Sequence, residues 1–533
     1  MIMTAARAFE SPCASRFEAA LPSDFEIALT KAFRNALHRP VPQDPLDVTR
    51  ADARGTVAPI PGEDAMDLID RLRHIVGDAH VLTGAAADRY GRDWTGKYEG
   101  RPLAAVRPAD TSQTAKVMRL AHETGTPVVP MAGNTGLMGG AHAPGQLVLS
   151  IERLNAVREV RPAARIAIVE AGCILSDLHA AAEAHDLVFP LTFGARGSAR
   201  IGGALSTNAG GSNVLRYGNT RALTLGIEVV LPTGEVLDLM SALHKDNSGY
   251  DLKDLFIGAE GTLGVITAAV VKLAPKPRAY ATAMVALPSV ADALTLLNRL
   301  QEATGGAVEA FEYMPGHYID AHLAHVDGAR PPFAERHEVN VMVEVGATAP
   351  RDATPSDDGS LPIVGYLEDV LAEMIEAGTV TDATVAQNEA QRREIWARRE
   401  VAGELCVTRK PAILTDVSVP TDRVPDFLAR ASQAVAARDP DCAEFVVSHL
   451  GDGNVHLTLW PSRDDEAHLD ALMETVEDVT QGLGGSFSAE HGIGLGKRAS
   501  MARRKDPVAL DVMRRIKAAL DPGGIMNPGK VLP

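Results

Sequence analysis

Apolar residues recur at helical spacing over residues 66–76, where Met66, Leu68, Ile69, Leu72 and Ile75 fall on or near one face and predict an amphipathic helix. From about residue 101 short apolar runs alternate with amphipathic stretches. Runs at 103–106, 127–130, 147–151, 167–170, 225–231 and 264–267 read as buried strands, and 112–124 as a helix. After Pro275-Lys-Pro277 the composition shifts. Strands are expected at 284–287 and 339–345, helices at 290–300, 367–376 and 386–404, and an exposed loop at 349–361, rich in Pro, Ser, Asp and Gly. The tail ends in a helix over 507–520. Ahead of all this, residues 1–60 read as an extension, a helix at 24–38 followed by a proline-dotted segment.

A chain of 533 residues is too long for one simple core. Lys plus Arg number 52 and Asp plus Glu 69, a formal net charge of −17, which excludes nucleic acid as a first reading. An anionic substrate therefore has to be drawn in by a local cation. Cys13, Cys173, Cys406 and Cys442 form no C-x-x-C pair, which argues against a disulfide framework or thiolate zinc site. No apolar run approaches the roughly 18–20 residues of a membrane span. The first residues carry Glu10 and Glu18 beside Arg7 and Arg16, with no long apolar core. A cytoplasmic protein is expected.

Glycine concentrates between strands in three segments. The first holds Pro130, Met131, Ala132, Gly133, Asn134, Thr135, Gly136, Leu137, Gly139 and Gly140. The second holds Gly197, Ser198, Gly202, Gly203, Ser206, Thr207, Asn208, Gly210 and Gly211; the third holds Glu260, Gly261, Thr262 and Gly264, with Ile266 just beyond. None ends in G-K-[ST], and none is a G-x-G-x-x-G turn. They offer unobstructed backbone N–H groups, which suit a pyrophosphate where no basic clamp exists. One such segment is as readily a tight turn; three together argue for a ligand.

Residues 445–450 and 455–460 flank Gly451-Asp-Gly-Asn454 and predict a hairpin. Pairing Leu450 with Val455 sets His449 opposite His456, with Cβ atoms about 4.5–5.5 Å apart. On the hairpin alone, a pair of structural histidines is the better account. Ser486-Phe-Ser-Ala-Glu-His-Gly-Ile-Gly494 changes the balance, because Glu490 beside His491 adds a carboxylate. Two histidines and a carboxylate make an open N/O site for zinc or a similar divalent ion.

The glycine segments, together with R-Y-G-N-T-R at 216–221 and K-D-N-S-G-Y-D-L-K-D-L-F-I-G-A-E-G-T-L-G at 245–264, resemble FAD proteins of the vanillyl-alcohol-oxidase type. More narrowly they resemble the FAD-linked D-2-hydroxyacid dehydrogenases, from about residue 66 to 533. The resemblance implies an α+β fold: an FAD-binding domain at 61–278, a substrate-capping domain at 279–485 carrying the hairpin, and a segment at 486–533 that completes the FAD site. It implies oxidation of a D-2-hydroxy acid, of the D-lactate or D-2-hydroxyglutarate class, by hydride transfer to flavin. Electrons then pass to an acceptor other than oxygen, such as an electron-transfer flavoprotein, a cytochrome or a quinone. By the same resemblance His449, His456 and Glu490 are metal ligands (zinc, with manganese or cobalt as substitutes) and His491 is the base. Asn454 and Asn527 lie near the flavin, and Arg399 of I-W-A-R-R-E holds the substrate carboxylate.

The chain departs from the family pattern at Met131 and Ala132, where relatives often carry Gln and Gly. The first loop has no histidine and His142 lies beyond Gly140, which implies non-covalent FAD. Leu414 stands where relatives acting on hydroxy-dicarboxylates often have the Lys of K-Y-D, with Arg409 and Lys410 the nearby cations. Two alternatives stay open: a metallohydrolase, and the flavin subunit of a multi-subunit, glycolate-oxidase-like complex. A homodimer is equally open.

Overall fold

A strand buried on both faces needs an unbroken apolar run, and three such runs form a parallel core. In the computed structural model, which describes residues 62–533, Ala104–Val106 and Val128–Met131 flank Leu147–Ser150, both pairings parallel. The connecting helix, Thr111–Thr124, starts where Asp110 accepts the N–H of Gln113 and stops at Gly125 with φ +63°. Val81–Leu82 extends the edge antiparallel, and the helix expected at 66–76 runs Gly62–Val76. The helix and proline segment expected before residue 61 lie outside the described residues.

A second, antiparallel sheet orders its strands Val157–Arg161, Ile166–Glu170, Val265–Lys272, Thr224–Val230 and Val236–Leu239. The run expected at 264–267 continues to Lys272 because this strand is central and Ala268–Val271 are buried on both sides. The first and third glycine segments join onto strands Val128–Met131 and Val265–Lys272, and the second forms the short helix Ile201–Thr207 and its flanks.

Residues 279–460 supply the third sheet, eight-stranded and antiparallel throughout. One face packs Leu296, Leu367, Phe427 and Leu472 of helices Val290–Thr304, Pro362–Glu376, Val424–Arg438 and Glu466–Gly482. The other carries Tyr318, Ile395 and Phe445, from helices Gly316–His325 and Glu389–Glu400 and strand Ala443–His449. The single helix expected over 386–404 is two helices preceded by a strand. Asp382–Val385 is an edge strand, Asn388 caps Glu389–Glu400 by accepting the N–H of Gln391, and Ala402–Cys406 follows. The Asn388 cap is a local signal that outweighs helix periodicity. Strand Val308–Tyr313 and helices Val424–Arg438 and Glu466–Gly482 had no counterpart in the sequence reading.

The hairpin forms, with a different register. Ser448 pairs with Val455, His449 with Asn454 and Val447 with His456. The turn is Leu450–Gly453, one residue earlier than expected. Gly453 takes φ +81°, and a Cβ there would lie 2.2 Å from the carbonyl oxygen of Val419, so glycine closes the turn and Asn454 enters the ladder. A two-residue shift preserves the faces. Leu450, Val455, Leu457 and Leu459 still enter the helix-packed core, and His449 and His456 share the other side as diagonal neighbours with ring centroids 5.4 Å apart.

The C-terminal segment returns to the parallel sheet, where the N–H of Val128 donates to Ile525 O and that of Asn527 to Val128 O. No helix among the described residues is long and apolar enough to cross a membrane.

Candidate functional site

The three glycine segments converge on a cavity of about 380 Å³. Its lining takes in the whole first loop from Pro130 to Gly140, Gly202, Gly203, Ser206, Thr207 and Gly210 of the second segment, and Glu260, Gly261, Gly264 and Ile266 around the third. Glycine is required at 133, where a Cβ would sit 2.3 Å from the backbone oxygen of Ser198, and at 210 a Cβ would press on the Glu490 carboxylate, 2.7 Å from Oε1. Six expected cofactor residues lie off the lining: Gly197, Ser198, Asn208, Gly211, Thr262 and Asn527. Gly197 and Ser198 are solvent-exposed, Ser198 serving as the wall behind Gly133. Asn208, left-handed at φ +52°, accepts the N–H of Arg221; Gly211 packs on Thr192 O; Thr262 donates to Ala259 O. Asn527 donates to the carbonyls of Gly140 and Glu260 and so ties the tail to two of the glycine loops. His142 is also off the lining. Asp93, Trp94, Phe193 and Arg200, which carry no motif in the sequence, also line the wall.

Glu490 and His491 reach the same cavity from a segment without regular structure. Its backbone is gripped at both ends by carboxylates, the buried Asp416 and the half-buried Glu260. Asp416 accepts the N–H groups of Ala489 (3.2 Å), Glu490 (3.1 Å) and His491 (2.9 Å). Glu260, itself at φ +51°, accepts those of Ile493 (2.7 Å) and Gly494 (2.8 Å). The turn is thus strung between the cofactor loops and the eight-stranded sheet.

Two trios could hold a cation, each with ligand atoms within 4.8 Å of one another: His449, His456 and Glu490, and Asp416, His456 and His491. Asp416 is already saturated, since Asn454 Nδ2 (3.1 Å) and Lys497 Nζ (3.3 Å) also donate to it. Burial would raise its pKa, but the charges of His491, Lys497 and His456 and these bonds hold it well below the usual range. In the first trio the Glu490 carboxylate and the His456 ring make no side-chain hydrogen bond, while His449 Nε2 lies 3.4 Å from Arg399 Nη2. Burial pushes the Glu490 carboxyl up to about 7, with the charges of Asp416 and Asp452 adding to the rise and those of His449 and Arg399 opposing it. Burial likewise lowers His456 far below its ordinary value, leaving a neutral imidazole, the form a metal binds. The donor set fits a divalent ion.

Strand register builds the rest. Glu312, His449 and Asn454 lie side by side across three strands. Glu312 accepts from His449 Nδ1 (2.8 Å) and from Arg399 Nε (2.7 Å), so one carboxylate orients a candidate ligand and the candidate substrate cation. Arg399 Nη2 lies 3.4 Å from His449 Nε2. Burial opposes ionisation of all three. The mutual attraction outweighs it, holding Glu312 near about 2 and lifting His449 to about 9. With Nδ1–H given to Glu312, any proton that a metal displaces from His449 leaves from Nε2. Glu312 escaped the sequence reading; its only signal is a charge inside the apolar run V-E-A-F-E-Y. Glu312→Ala leaves Arg399 and His449 buried without a counter-ion. It is expected to cost about 3–5 kcal/mol in denaturant unfolding, against nearly nothing for the exposed Glu338→Ala.

Asn454 donates to Asp416 and to Val417 O, and its Oδ1 has no partner. Arg399 and Asn454 lie off the cavity lining, Arg399 beside His449 and Asn454 beside Asp416. Leu414 pairs with Thr458 in the sheet, and Arg409 lies over the Trp460 ring at 4.7 Å.

Two family models match, "FAD binding domain" over residues 102–240 and "FAD linked oxidases, C-terminal domain" over 276–531. Among similar proteins, the mitochondrial D-2-hydroxyglutarate dehydrogenase of Bos taurus is 37% identical, covering 83% of this chain and 79% of its own length. The D-2-hydroxyglutarate dehydrogenases of Xanthomonas citri pv. viticola (37%; 84% and 93%) and Stutzerimonas stutzeri (34%; 87% and 98%) match to similar extents. Of solved structures, p-cresol methylhydroxylase superposes with a TM-score of 0.69 at 16% identity, covering 89% of this chain and 98% of its own. Alkyldihydroxyacetonephosphate synthase gives 0.65 at 15%, covering 91% and 90%. The fold is therefore α+β of the vanillyl-alcohol-oxidase type, the glycine-walled cavity is that of an FAD-binding protein, and the metallohydrolase alternative falls. The chain belongs to the FAD-linked D-2-hydroxyacid dehydrogenases.

Proposed function

We propose that the protein oxidises a D-2-hydroxy acid to the 2-oxo acid where the FAD cavity meets the His449–His456–Glu490 trio. One observation carries this reading: the Glu490–His491 turn lines the cavity while Glu490 completes the trio, so a single turn faces both cofactor and metal. FAD, when bound, accepts the substrate Cα hydrogen as hydride, and a divalent ion, zinc in this reading, acidifies the hydroxyl. His491 takes the hydroxyl proton. Burial lowers its pKa, so it is a neutral acceptor at pH 7. Arg399, with Nε taken by Glu312, presents its Nη edge to the substrate carboxylate. Asn527 ties down the loops that hold the flavin, and Asn454 stands between Asp416 and the flavin in this reading.

In this reading residues 61–278 and 486–533 form the cofactor part and 279–485 the cap. FAD is held without a covalent bond, because the 130–140 loop has no histidine and His142 lies off the lining. The acceptor is an electron-transfer flavoprotein, a cytochrome or a quinone. Free Cys173, Cys406 and Cys442 agree with a reducing, cytoplasmic location.

The relatives' names favour D-2-hydroxyglutarate. Leu414, with Arg409 engaged on Trp460, favours a substrate with one carboxylate, such as D-lactate. An anaerobic titration decides between them. D-Lactate, D-2-hydroxyglutarate, D-malate and glycolate are added in turn to the yellow protein, and bleaching of the flavin band is read. At least one D-2-hydroxy acid is expected to bleach it and its L-enantiomer not to, and acid precipitation then leaves the yellow colour in the supernatant. Bleaching by none of them, or equal bleaching by both enantiomers, counts against the proposal.

A further inference from the structure

Asp416 lies between the short strands Ile413–Leu414 and Val417–Ser418, at the edge of the eight-stranded sheet. Its carboxylate is fully buried. Ser418 and Ser486 exchange backbone hydrogen bonds just beyond it, which steers the C-terminal segment beneath the carboxylate. There Asp416 meets three consecutive N–H groups, Asn454 Nδ2 and Lys497 Nζ. It also faces two rings: His491 Nδ1 at 3.6 Å and His456 Nδ1 at 3.8 Å. Among the described residues no other carboxylate comes within 4.0 Å of a nitrogen of either ring. The rings are stacked, with centroids 5.6 Å apart and planes at 18°, and His491 Nδ1 is buried with no hydrogen-bond partner.

We propose that Asp416 is the positioning residue of this site. It clasps the 489–491 turn that carries Glu490 and His491, and it keeps the ring hydrogen of His456 and His491 on Nδ1, so that both present Nε2 to the reacting centre. The inference rests on the metal and base reading above and adds the residue that makes it work. An imidazole next to an anion places its N–H toward that anion, which leaves the lone pair on the opposite nitrogen. His456 then offers Nε2 as a ligand and His491 offers Nε2 as the proton acceptor. Adjacent side chains of an extended segment point to opposite sides. The clasp is what allows Glu490 and His491 to act at one centre. Saturation with donors also keeps Asp416 itself from becoming a ligand and drawing the ion to the wrong trio.

The test uses full-length, FAD-loaded protein with cobalt(II) as the metal probe. Asp416→Asn retains an oxygen for the N–H groups but puts an amide where the second oxygen was. Folded, yellow Asp416→Asn is expected to bind cobalt about 10- to 100-fold more weakly in chelator competition, the usual effect of losing a residue that orients a ligand. The visible cobalt spectrum should change, and kcat should fall with KM little altered, since Arg399 is untouched. Asp416→Ala should be worse in each respect. A folded Asp416→Asn with unchanged cobalt affinity, spectrum and kcat overturns the proposal, as does a variant that only melts earlier. Should neither variant fold, hydrogen exchange on the wild-type protein carries the test. The amides of 489, 490 and 491 should exchange far more slowly than those of an open loop; exchange at open-loop rates overturns the clasp. Wild-type protein that binds no cobalt counts against the metal reading, and the exchange of these amides in that sample then decides the clasp alone.

Discussion

His491→Ala protein should remain yellow and metal-loaded while kcat drops by a factor of about 10²–10⁴, the usual worth of a general base. The retained FAD follows from the fold, because the cofactor loops at 130–140, 202–210 and 260–266 do not depend on the imidazole. Retained metal follows from the trio, in which His491 is not a member. The pH profile adds a sign. Burial, then the Lys497 charge, lower the His491 pKa, with Asp416 opposing. The active form is the neutral ring, so kcat should fall as pH drops through a value below the ordinary 6.5 or so of histidine. His491→Ala should lose that acid limb together with most of the rate. Release of metal by this variant, or turnover at the unmodified rate, would put the base elsewhere.

Removing the metal should have the second large effect. Chelation is expected to abolish turnover while the flavin spectrum persists, and zinc, manganese or cobalt should restore it. Glu490→Ala should reproduce the loss permanently, since it removes the one carboxylate of the trio, and His456→Ala should do the same. His449→Ala carries a further cost. Glu312 and Arg399 remain paired, but Glu312 loses the Nδ1–H that it accepts at 2.8 Å. That variant should therefore bind metal poorly and also raise KM for the hydroxy acid through a displaced Arg399. A demonstrably metal-free enzyme with full activity would remove the trio from the mechanism. FAD content is the control for His449→Ala and His456→Ala, because the hairpin lies off the cavity wall.

Much of the glycine-walled cavity is legible in the sequence. Loop 130–140 lines the cavity along its whole length, and the parallel strands beside it appear within a residue or so of where apolar runs placed them. Both are local properties. A glycine loop acts through its own backbone, and a strand buried on both faces must be apolar residue by residue. The expectation failed where exposure, not composition, decides a role. Gly197 and Ser198 belong to the same motif as Gly202 and Gly203, yet face solvent.

The hairpin shows the limit of pattern. Alternation with period two assigns each histidine to a face but is unchanged by a two-residue slip. The contact of Gly453 with Val419, 34 residues earlier in the chain, selects the register that occurs. Sequence by itself determined the glycine loops that line the cavity, the shared face of His449 and His456, and the Glu490–His491 pair, because each is written in contiguous residues or in strand alternation. Only the tertiary structure decided that Glu312 joins Arg399 to His449 and that Asp416 clasps the 489–491 turn. A buried carboxylate has no meaning until its donors are known. These donors come from strands and turns brought together by sheet register, which no local pattern encodes.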